Sequence, residues 1–389
     1  MNATNQQTSP RLALTLGGGG ARAAYQVGVL RAIARRYPQL QIPLLNGVSA
    51  GAINISHLAN FEGNFTDSVD ALCDLWSRLK LENVFDPRGA SLLWRAAKVG
   101  MRLSVGLPSW LEPVHGMVDT EPLREYLHQG LHATDGTLPG IDRNIKAGRL
   151  QAVALTTNSY SSGDTVTFFS GRQIAEWERP HRKSVETGLT VEHIMASSAL
   201  PLVFPPVRID DDWYGDGGVR LVAPLAPAVH LGADRLLVIS THFGGEEEEQ
   251  PPLSQEAPSP ATVLAAMYNA VFLDQLDQDE REIRRITDLV SQLPPERRDG
   301  LREVKLFVIR PSQNLGALAF DLKCELPRTL CYLLDRFGAS QTGSDDFLST
   351  LMFHHAYIGR LIELGEQDGT KQCGDLQAFL ESSVAARQA

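Results

Sequence analysis

Acidic residues are missing from the first part of the chain. Residues 1 to 61 contain no Asp or Glu, although they carry five arginines. The whole chain of 389 residues still has a formal net charge of −10, so its acidic residues are concentrated later. A negative chain disfavours general nucleic-acid binding, because phosphate backbones are held by clustered Lys and Arg. We therefore expect no nucleic-acid partner.

Cysteine is scarce, and long apolar runs are absent. The four cysteines include no CxxC pair, which favours reduced thiols over a disulfide framework or a metal site. No apolar stretch reaches the roughly eighteen residues needed to span a bilayer. The polar residues 1–10 have neither the cationic start nor the apolar core of a secretory signal. We expect a disordered leader over 1–10, and a cytoplasmic protein that contacts the inner face of the membrane only peripherally.

Two strand-turn-helix units open the chain. The apolar run 12–16 ends in glycines, and residues 21–36 then have helical spacing. The run 42–48 leads through Ser49 into a second helical stretch, 50–60. Consecutive units of this kind predict a parallel sheet covered by helices.

The remaining chain continues this α/β pattern. It predicts a strand pair within 149–171, a helix from 191 that stops against prolines, a tight turn over 211–220, a helix over 223–233 and a strand over 234–241. We assign 11–311 to one catalytic domain, with an acidic Pro/Glu-rich loop (244–260) and a long helix (about 261–293) inserted before the last strand. Residues 312–389 form a mainly helical C-terminal extension.

The glycine run before the first helix formally matches the dinucleotide fingerprint G-x-G-x-x-G/A through Gly18, Gly20 and Ala23. That fingerprint also requires an acid about twenty residues later to hold a ribose, and none occurs before Glu62. We therefore expect no nucleotide cofactor. Consecutive glycines at a helix N-terminus still let backbone N–H groups point into one space, where a developing oxyanion is stabilised.

Ser49 lies in the pentapeptide GVSAG, between a predicted strand and a predicted helix. A strand-turn-helix G-x-S-x-G raises the serine hydroxyl above the sheet edge, and the small neighbours Gly47, Ala50 and Gly51 permit the sharp turn. The alternative is a serine that caps the following helix. The glycine loop one unit earlier favours the catalytic interpretation.

A serine nucleophile needs a base. In an α/β-hydrolase the elbow follows several strands and precedes an Asp and a His, whereas Ser49 follows only two strands. The ten histidines stand in contexts with no common motif. Asp216 in YGDGGV is the better candidate, although an acid between glycines is ordinarily a β-turn residue.

Four motifs then occur in a recognisable order: GGGGAR, GVSAGAIN, ASSALPLVFPPV and WYGDGGV followed by PLAPAVHLGADRLLVI. Over about residues 11–240 the chain resembles the patatin-like phospholipases. The resemblance implies a three-layer α/β fold, with a mainly parallel central sheet, helices on both faces and a helical C-terminal extension. It also implies hydrolysis of fatty acyl esters of phospholipids or lysophospholipids.

The resemblance also assigns the site. Ser49 would be the nucleophile and Asp216 its base, in a dyad without histidine and without a metal or other cofactor. The remaining residues would form the oxyanion hole or support it: Gly18, Gly19, Gly20, Arg22, Gly47, Gly51, Gly217 and Gly218. The family usually has Gly after the arginine, whereas this chain has Ala23, which a helical backbone tolerates. Two other classes stay open: a soluble carboxylesterase with a Ser-His-Asp triad, and a non-catalytic patatin-fold binding protein.

Residues 88–111 contain four basic residues and no acid. On a helix, Arg95, Lys98 and Arg102 form a stripe beside an apolar face, and Trp94 and Trp110 supply rings favoured at membrane interfaces. Our hypothesis is that this segment covers the active site and docks on anionic lipid surfaces. The alternative is a helix packed on the sheet with solvated cations.

We predict that replacing Arg95, Lys98 and Arg102 by Gln weakens binding to anionic vesicles and slows hydrolysis of vesicle lipid. Hydrolysis of a short soluble ester should stay almost unchanged, because the attraction acts only near a charged surface, within a Debye length of about 8 Å. Vesicle co-sedimentation and paired hydrolysis assays measure both effects. Equal losses on the two substrates would indicate a structural helix, and unchanged vesicle binding would contradict the hypothesis.

Overall fold

Strands from the whole length of the chain meet in one sheet. The computed structural model describes residues 11–85, 118–221, 223–244, 275–322 and 345–382, and ten strands in these ranges form that sheet. The predicted leader, segment 88–111, and residues 245–260 and 261–274 of the predicted insertion lie outside the described residues. The strands are β1 (Leu12–Leu16), β2 (Leu44–Val48), β3 (Ala152–Ser159), β4 (Thr165–Gly171), β5 (Glu178–Arg179), β6 (Arg182–Glu186), β7 (Val207–Ile209), β8 (Asp212–Asp216), β9 (Arg235–Ile239) and β10 (Lys305–Ile309).

The sheet is mainly parallel. Its order is β10-β9-β1-β2-β3-β4-β6-β5, and the pairs from β10 to β3 all run parallel. β4 pairs antiparallel with β3. Because parallel strands all end at the same sheet edge, the turns after β1 and β2 lie side by side.

Helices cover both faces of the sheet, as the sequence predicts. The described helices are α1 (Ala23–Arg36), α2 (Ala50–Asn60), α3 (Phe65–Arg78), α4 (Leu81–Val84), α5 (Glu121–Gly130), α6 (Pro139–Lys146), α7 (Val191–Ser197), α8 (Ala226–His230), α9 (Gln275–Ser291), α10 (Leu315–Asp321), α11 (Asp345–Leu351) and α12 (His355–Glu381). Short 3-10 turns lie at Gly20–Arg22, Gly217–Arg220 and Pro295–Arg297.

Side-chain alternation along the strands builds two hydrophobic cores. Leu12, Leu14 and Leu16 of β1 contribute to the larger core, which contains side chains of α1, α2, α3 and α12. Ala13 faces the smaller core, which α8 and α9 help to cover. Successive side chains of a strand point to opposite faces, so both faces of a buried parallel sheet must be apolar. The three-layer α/β fold with a helical C-terminal region is confirmed.

The prediction of a turn over 211–220 is wrong for the first half of that range. Residues Asp212–Asp216 form β8, which pairs antiparallel with both β7 and the end of β3. Backbone pairing on two sides satisfies the strand's polar groups and outweighs the local turn preference of Asp and Gly. Only the second half turns, as the 3-10 turn Gly217–Arg220.

The C-terminal helix α12 packs on α1 at very short range. A Cβ added at Gly365 would lie 2.1 Å from the carbonyl oxygen of Tyr25, and one added at Gly28 would lie 2.0 Å from that of Ile362. The Tyr25 hydroxyl also donates to Asp368 Oδ2 across the same interface, at 3.2 Å. Glycine is therefore required where these two helices cross, because any side chain would force the backbones apart.

None of the helices in the described part of the chain is long and apolar enough to cross a membrane.

We predict that Gly365→Ala destabilises the protein by roughly 1–3 kcal/mol or more, because the methyl group overpacks the crossing of α1 and α12. Gly374→Ala is the matched control in the same helix, since an added Cβ meets nothing within 4 Å there. That substitution should stabilise by about 0.5–1 kcal/mol, as Ala is the better helix former. Urea unfolding curves compare the two variants, and equal effects would contradict the close-packing argument.

Candidate active site

Ser49 occupies a strained turn between β2 and α2. Its backbone has φ 55° and ψ −133°, in a region that residues other than glycine seldom adopt. A Cβ at Gly51 would lie 2.3 Å from the carbonyl oxygen of Leu16, and one at Gly47 would lie 2.8 Å from that of Gly51. The side chain of Ser49 makes no capping hydrogen bond to α2. The structure therefore favours the elbow over the helix cap.

Two further serines hold the elbow in place. Ser197 Oγ accepts a hydrogen bond from the N–H of Ser49 at 3.0 Å and donates to the carbonyl of Thr156 at 2.7 Å. Ser198 Oγ donates to the carbonyl of Ser49 at 3.0 Å. Both serines are buried at the end of α7. The stretch ASSALPL carries part of the family resemblance, and its two serines among apolar residues are the sequence signal for this support.

The strand register brings Asp216 beside Ser49. Along one side of β3, Thr156 pairs with Val48 of β2, and the next residue, Thr157, pairs with Asp216 of β8. β8 thus occupies the position that β2 leaves where it turns at Ser49. The N–H of Asp216 also donates to the carbonyl of Ala199 at 3.0 Å, which ties β8 to the segment after α7.

The carboxyl group of Asp216 is fully buried. Its Oδ1 accepts from the N–H of Gly218 at 2.8 Å. Burial raises the pKa of Asp216 to about 7, against the opposing effects of the Ser49 hydroxyl and the Gly218 N–H. Oδ2 has no hydrogen-bond partner of good geometry among the described residues. The Ser49 hydroxyl is nevertheless near enough to lower the pKa of the carboxyl group. Such contacts often tighten only when substrate binds.

Gly217 and Gly218 shape the turn that follows Asp216. A Cβ at Gly217 would lie 2.2 Å from the carbonyl oxygen of Thr156, so only glycine fits between β3 and this turn. Gly218 supplies the N–H that orients the carboxylate. Gly217 and Gly218 thus shape this turn through close backbone approach and one hydrogen-bond donor.

The glycine loop lies against the elbow. A Cβ at Gly18 would stand 2.8 Å from Cβ of Ser49. Gly19 and Gly20 have φ of 140° and 55°, which favour glycine.

Partners on the far side hold the carbonyl groups of this loop. Gln26 Nε2 donates to Gly17 O at 2.9 Å, Thr241 Oγ1 to Gly18 O at 2.8 Å, and the N–H of Arg22 to Gly19 O at 3.0 Å. Within the described ranges the N–H groups of Gly18 and Gly19 donate to no other group. The loop therefore presents free donors next to Ser49, which suits a negatively charged oxygen.

Arg22 extends toward the C-terminal helices. The side chain is 2% exposed, and its Nε donates to Ser349 Oγ of α11 at 2.5 Å. The backbone of α11 also approaches the loop, since a Cβ at Gly20 would lie 2.0 Å from the carbonyl oxygen of Thr350. Ala23 has φ −64° and begins α1, so its methyl group fits the helical backbone where the family usually has glycine.

No described histidine is hydrogen-bonded to Ser49 or Asp216. Burial lowers the pKa of both His57 and His193 to about 4, and their ring nitrogens contact Ser68 O and the side chain of Thr190. His242 borders a cavity of about 60 Å³ together with Gly17, Gly18 and Gly218. His115 lies outside the described residues. Among the side chains that are described, no three of His, Cys, Asp and Glu are grouped as metal ligands would be.

The patatin-like phospholipase family model matches residues 14–229. A comparison with curated proteins finds no match.

Several solved structures are similar in fold. Human GIVD cytosolic phospholipase A2 is 13% identical over 95% of this chain and 60% of its own, with a TM-score of 0.49. VipD from Legionella pneumophila is 11% identical, over 95% of this chain and 67% of VipD, with a TM-score of 0.40. ExoU from Pseudomonas aeruginosa, solved in complex with SpcU, is 14% identical, over 88% of this chain and 70% of the ExoU chain, with a TM-score of 0.27. The chain thus spans about three fifths of the length of the human enzyme.

The family match covers more than half of the chain and contains the glycine loop, the elbow and Asp216. The chain therefore belongs to the patatin-like phospholipase family.

Proposed function

We propose that this protein hydrolyses fatty acyl esters of phospholipids or lysophospholipids through a Ser49–Asp216 dyad and an acyl-enzyme. The observation that carries the proposal is that β3 pairs with both β2 and β8, so that the fully buried carboxyl group of Asp216 lies beside the strained Ser49. Family membership supports acyl-ester hydrolysis in general. The dyad, the oxyanion donors and the phospholipid substrate are our own inferences.

Acylation begins when Ser49 Oγ attacks the ester carbonyl carbon while Asp216 takes the hydroxyl proton. The negative charge that develops on the carbonyl oxygen is stabilised by the N–H groups of Gly18, Gly19 and Gly20. Asp216 then returns its proton to the leaving alcohol as the C–O bond breaks, which leaves the acyl group on Ser49. A base with a pKa near 7 can perform both transfers, because neither protonation state is strongly disfavoured.

Deacylation repeats these steps with water as the nucleophile. Asp216 accepts a proton from water, the hydroxide oxygen bonds to the acyl carbon, and the same N–H groups hold the oxyanion. Collapse of this intermediate releases the fatty acid and returns the proton to Ser49 Oγ. The chain's own groups suffice for every step, so we expect activity to survive chelators.

Two observations bear on the alternatives. A Ser-His-Asp triad would need a histidine hydrogen-bonded to Ser49. Among the described histidines, His57 and His193 contact Ser68 and Thr190 instead, and His242 borders the neighbouring cavity. A non-catalytic binding protein would have no need of a strained serine or of a buried acid with a raised pKa. Contact with the membrane surface, through residues 88–111, remains part of the proposal; those residues lie outside the described ones.

We predict that Ser49→Ala and Asp216→Asn each lower kcat by a factor on the order of 10⁴ or more, because nucleophile and base act as one unit. Ser49→Ala should also abolish labelling by a fluorophosphonate probe. Both variants should keep the circular dichroism spectrum of the native protein. Asp216→Asn should unfold at the same or a higher temperature at neutral pH, since it removes a buried ionisable group.

His242→Ala is the matched control for the histidine alternative and should retain turnover. A well-folded histidine variant with no activity would contradict the dyad. A screen of phospholipid, lysophospholipid and neutral acyl esters with native protein then assigns the substrate.

The pH dependence follows from the raised pKa of Asp216. The base is active when deprotonated, so kcat/KM for a short soluble ester should rise with pH through about 7 and then level off. An aspartate with an ordinary pKa near 3.9 would level off by about pH 5. Initial rates between pH 4.5 and 9 distinguish these outcomes, with the fold monitored by circular dichroism at each pH. A flat profile between about pH 5 and 8 would contradict the proposal.

A further inference from the structure

A second cleft lies at the opposite end of α2 from Ser49. It has a volume of about 310 Å³, and it opens among the loop before β2, the C-terminal end of α2, the start of α3 and the connection from α6 to β3. Leu58 on its wall follows Ser49 by nine residues, which along a helix corresponds to about 13 Å. This volume falls at the lower end of the roughly 300–1,000 Å³ typical of small-molecule sites.

The walls of the cleft are mainly apolar. Leu40, Ile42, Leu58 and Phe65 line it and are only partly buried, although they pack against the main core. When a ligand covers apolar side chains that are partly exposed at a concave surface, their removal from water favours binding. The cleft therefore suits the apolar body of a small molecule.

One cation stands at this cleft in a fixed orientation. Arg149 Nε donates to Asn144 Oδ1 at 2.9 Å, and Asn144 Nδ2 donates to the carbonyls of Ala59 and Phe61 at 2.7 and 2.9 Å. With Nε engaged, the two terminal nitrogens of the guanidinium remain for a ligand. Two parallel N–H donors are the arrangement that binds a carboxylate in a bidentate manner.

The charged neighbours leave Arg149 available. Glu62 forms its ion pair with Arg143 at 2.7 Å, and the hydrogen bond from Arg143 is the main reason that the pKa of Glu62 is lowered. The positive charge of the exposed Arg149 side chain also helps to lower the pKa of Glu62, but within the described part of the chain only Arg143 forms an ion pair with that carboxylate. A pre-oriented and unpaired guanidinium beside an apolar cleft attracts an anion that carries an apolar group.

A buried hydroxyl also lines the cleft. Ser68 is 5% exposed, and its Oγ has no hydrogen-bond partner among the described residues. A buried hydroxyl without a partner is energetically unfavourable, because it has lost its hydrogen bonds to water. An oxygen atom of a ligand would supply the partner that this side chain lacks.

We infer that this cleft binds a small amphiphile, a carboxylate with an apolar body of medium chain length, held by Arg149 at its head. Binding does not depend on the reaction proposed above. The link to that reaction does rest on the proposed function, because the fatty acid it releases belongs to the same chemical class. A ligand at this end of α2 would touch the helix whose other end carries Ser49.

Isothermal titration of the full chain with sodium decanoate tests the inference, with decanol and decyltrimethylammonium as head-group controls. Arg149→Gln should weaken decanoate binding about tenfold, the loss expected for a charge-assisted hydrogen-bond pair. Arg143→Gln is the matched control, since Arg143 carries the same charge nearby but does not line the cleft. That variant should bind decanoate almost as the native protein does.

Leu58→Trp, which fills the cleft, should block decanoate binding while Arg149 stays intact. Circular dichroism and thermal melting verify that each variant folds, so the result stands even if ester hydrolysis is never detected. Absence of decanoate binding would overturn the inference. Equal losses in Arg143→Gln and Arg149→Gln would also overturn it, as would unchanged binding in Arg149→Gln, because the head group would then lie elsewhere.

Discussion

The candidate site depends on one strand that changes its partner. β3 pairs with β2 up to Thr156 and with β8 from Thr157 onward. β2 can leave the sheet at Ser49 only because β8 pairs with β3 from Thr157 onward and so satisfies the backbone groups of β3 that β2 no longer reaches. Ser49 and Asp216 therefore become neighbours through backbone pairing, although 166 residues separate them in the chain. Their separation is set by the spacing of the sheet, which is far more rigid than a contact between two loops.

Both members of the pair occupy unfavourable environments. Ser49 has a backbone conformation that costs on the order of 1–3 kcal/mol, and Asp216 is a carboxyl group removed entirely from water. Ser197 and Ser198 hold both backbone polar groups of the elbow, and Gly218 holds one carboxylate oxygen. Strain and burial of this kind persist only where the surrounding structure fixes them. They are expected where a hydroxyl must be exposed to its base and the base must have a raised pKa.

Local patterns predict the first two βα units correctly, because glycine-rich turns between apolar runs have few alternatives. The roles of Ser49, Asp216 and the glycine loop come from the family resemblance and stay predictions. Local patterns failed at Asp212–Asp216, which turn chemistry marks as a loop but which pairs with strands far away in the chain. Local patterns do not reveal the hairpin of β5 and β6 either. Residues 178–186 are mainly polar, and β6 is part of the sheet because it pairs with β4. The support from Ser197 and Ser198 was also missed, because neither serine has a local pattern that reveals its distant partner. Long-range pairing is the information that one sequence alone does not contain.

The C-terminal helices lie outside the family match yet are part of the site's foundation. The match ends at residue 229, whereas Ser349 and Thr350 contact Arg22 and Gly20 of the glycine loop. α12 in turn packs on α1, the helix that begins directly after that loop, at a distance only glycine allows. One face of the loop is thus fixed by α11, and its carbonyls are fixed by Gln26 and Thr241. No described residue accepts a hydrogen bond from the N–H groups of Gly18 and Gly19. The contacts made by Ser349 and Thr350 therefore help to fix the loop that we propose as the oxyanion hole, together with the glycines themselves.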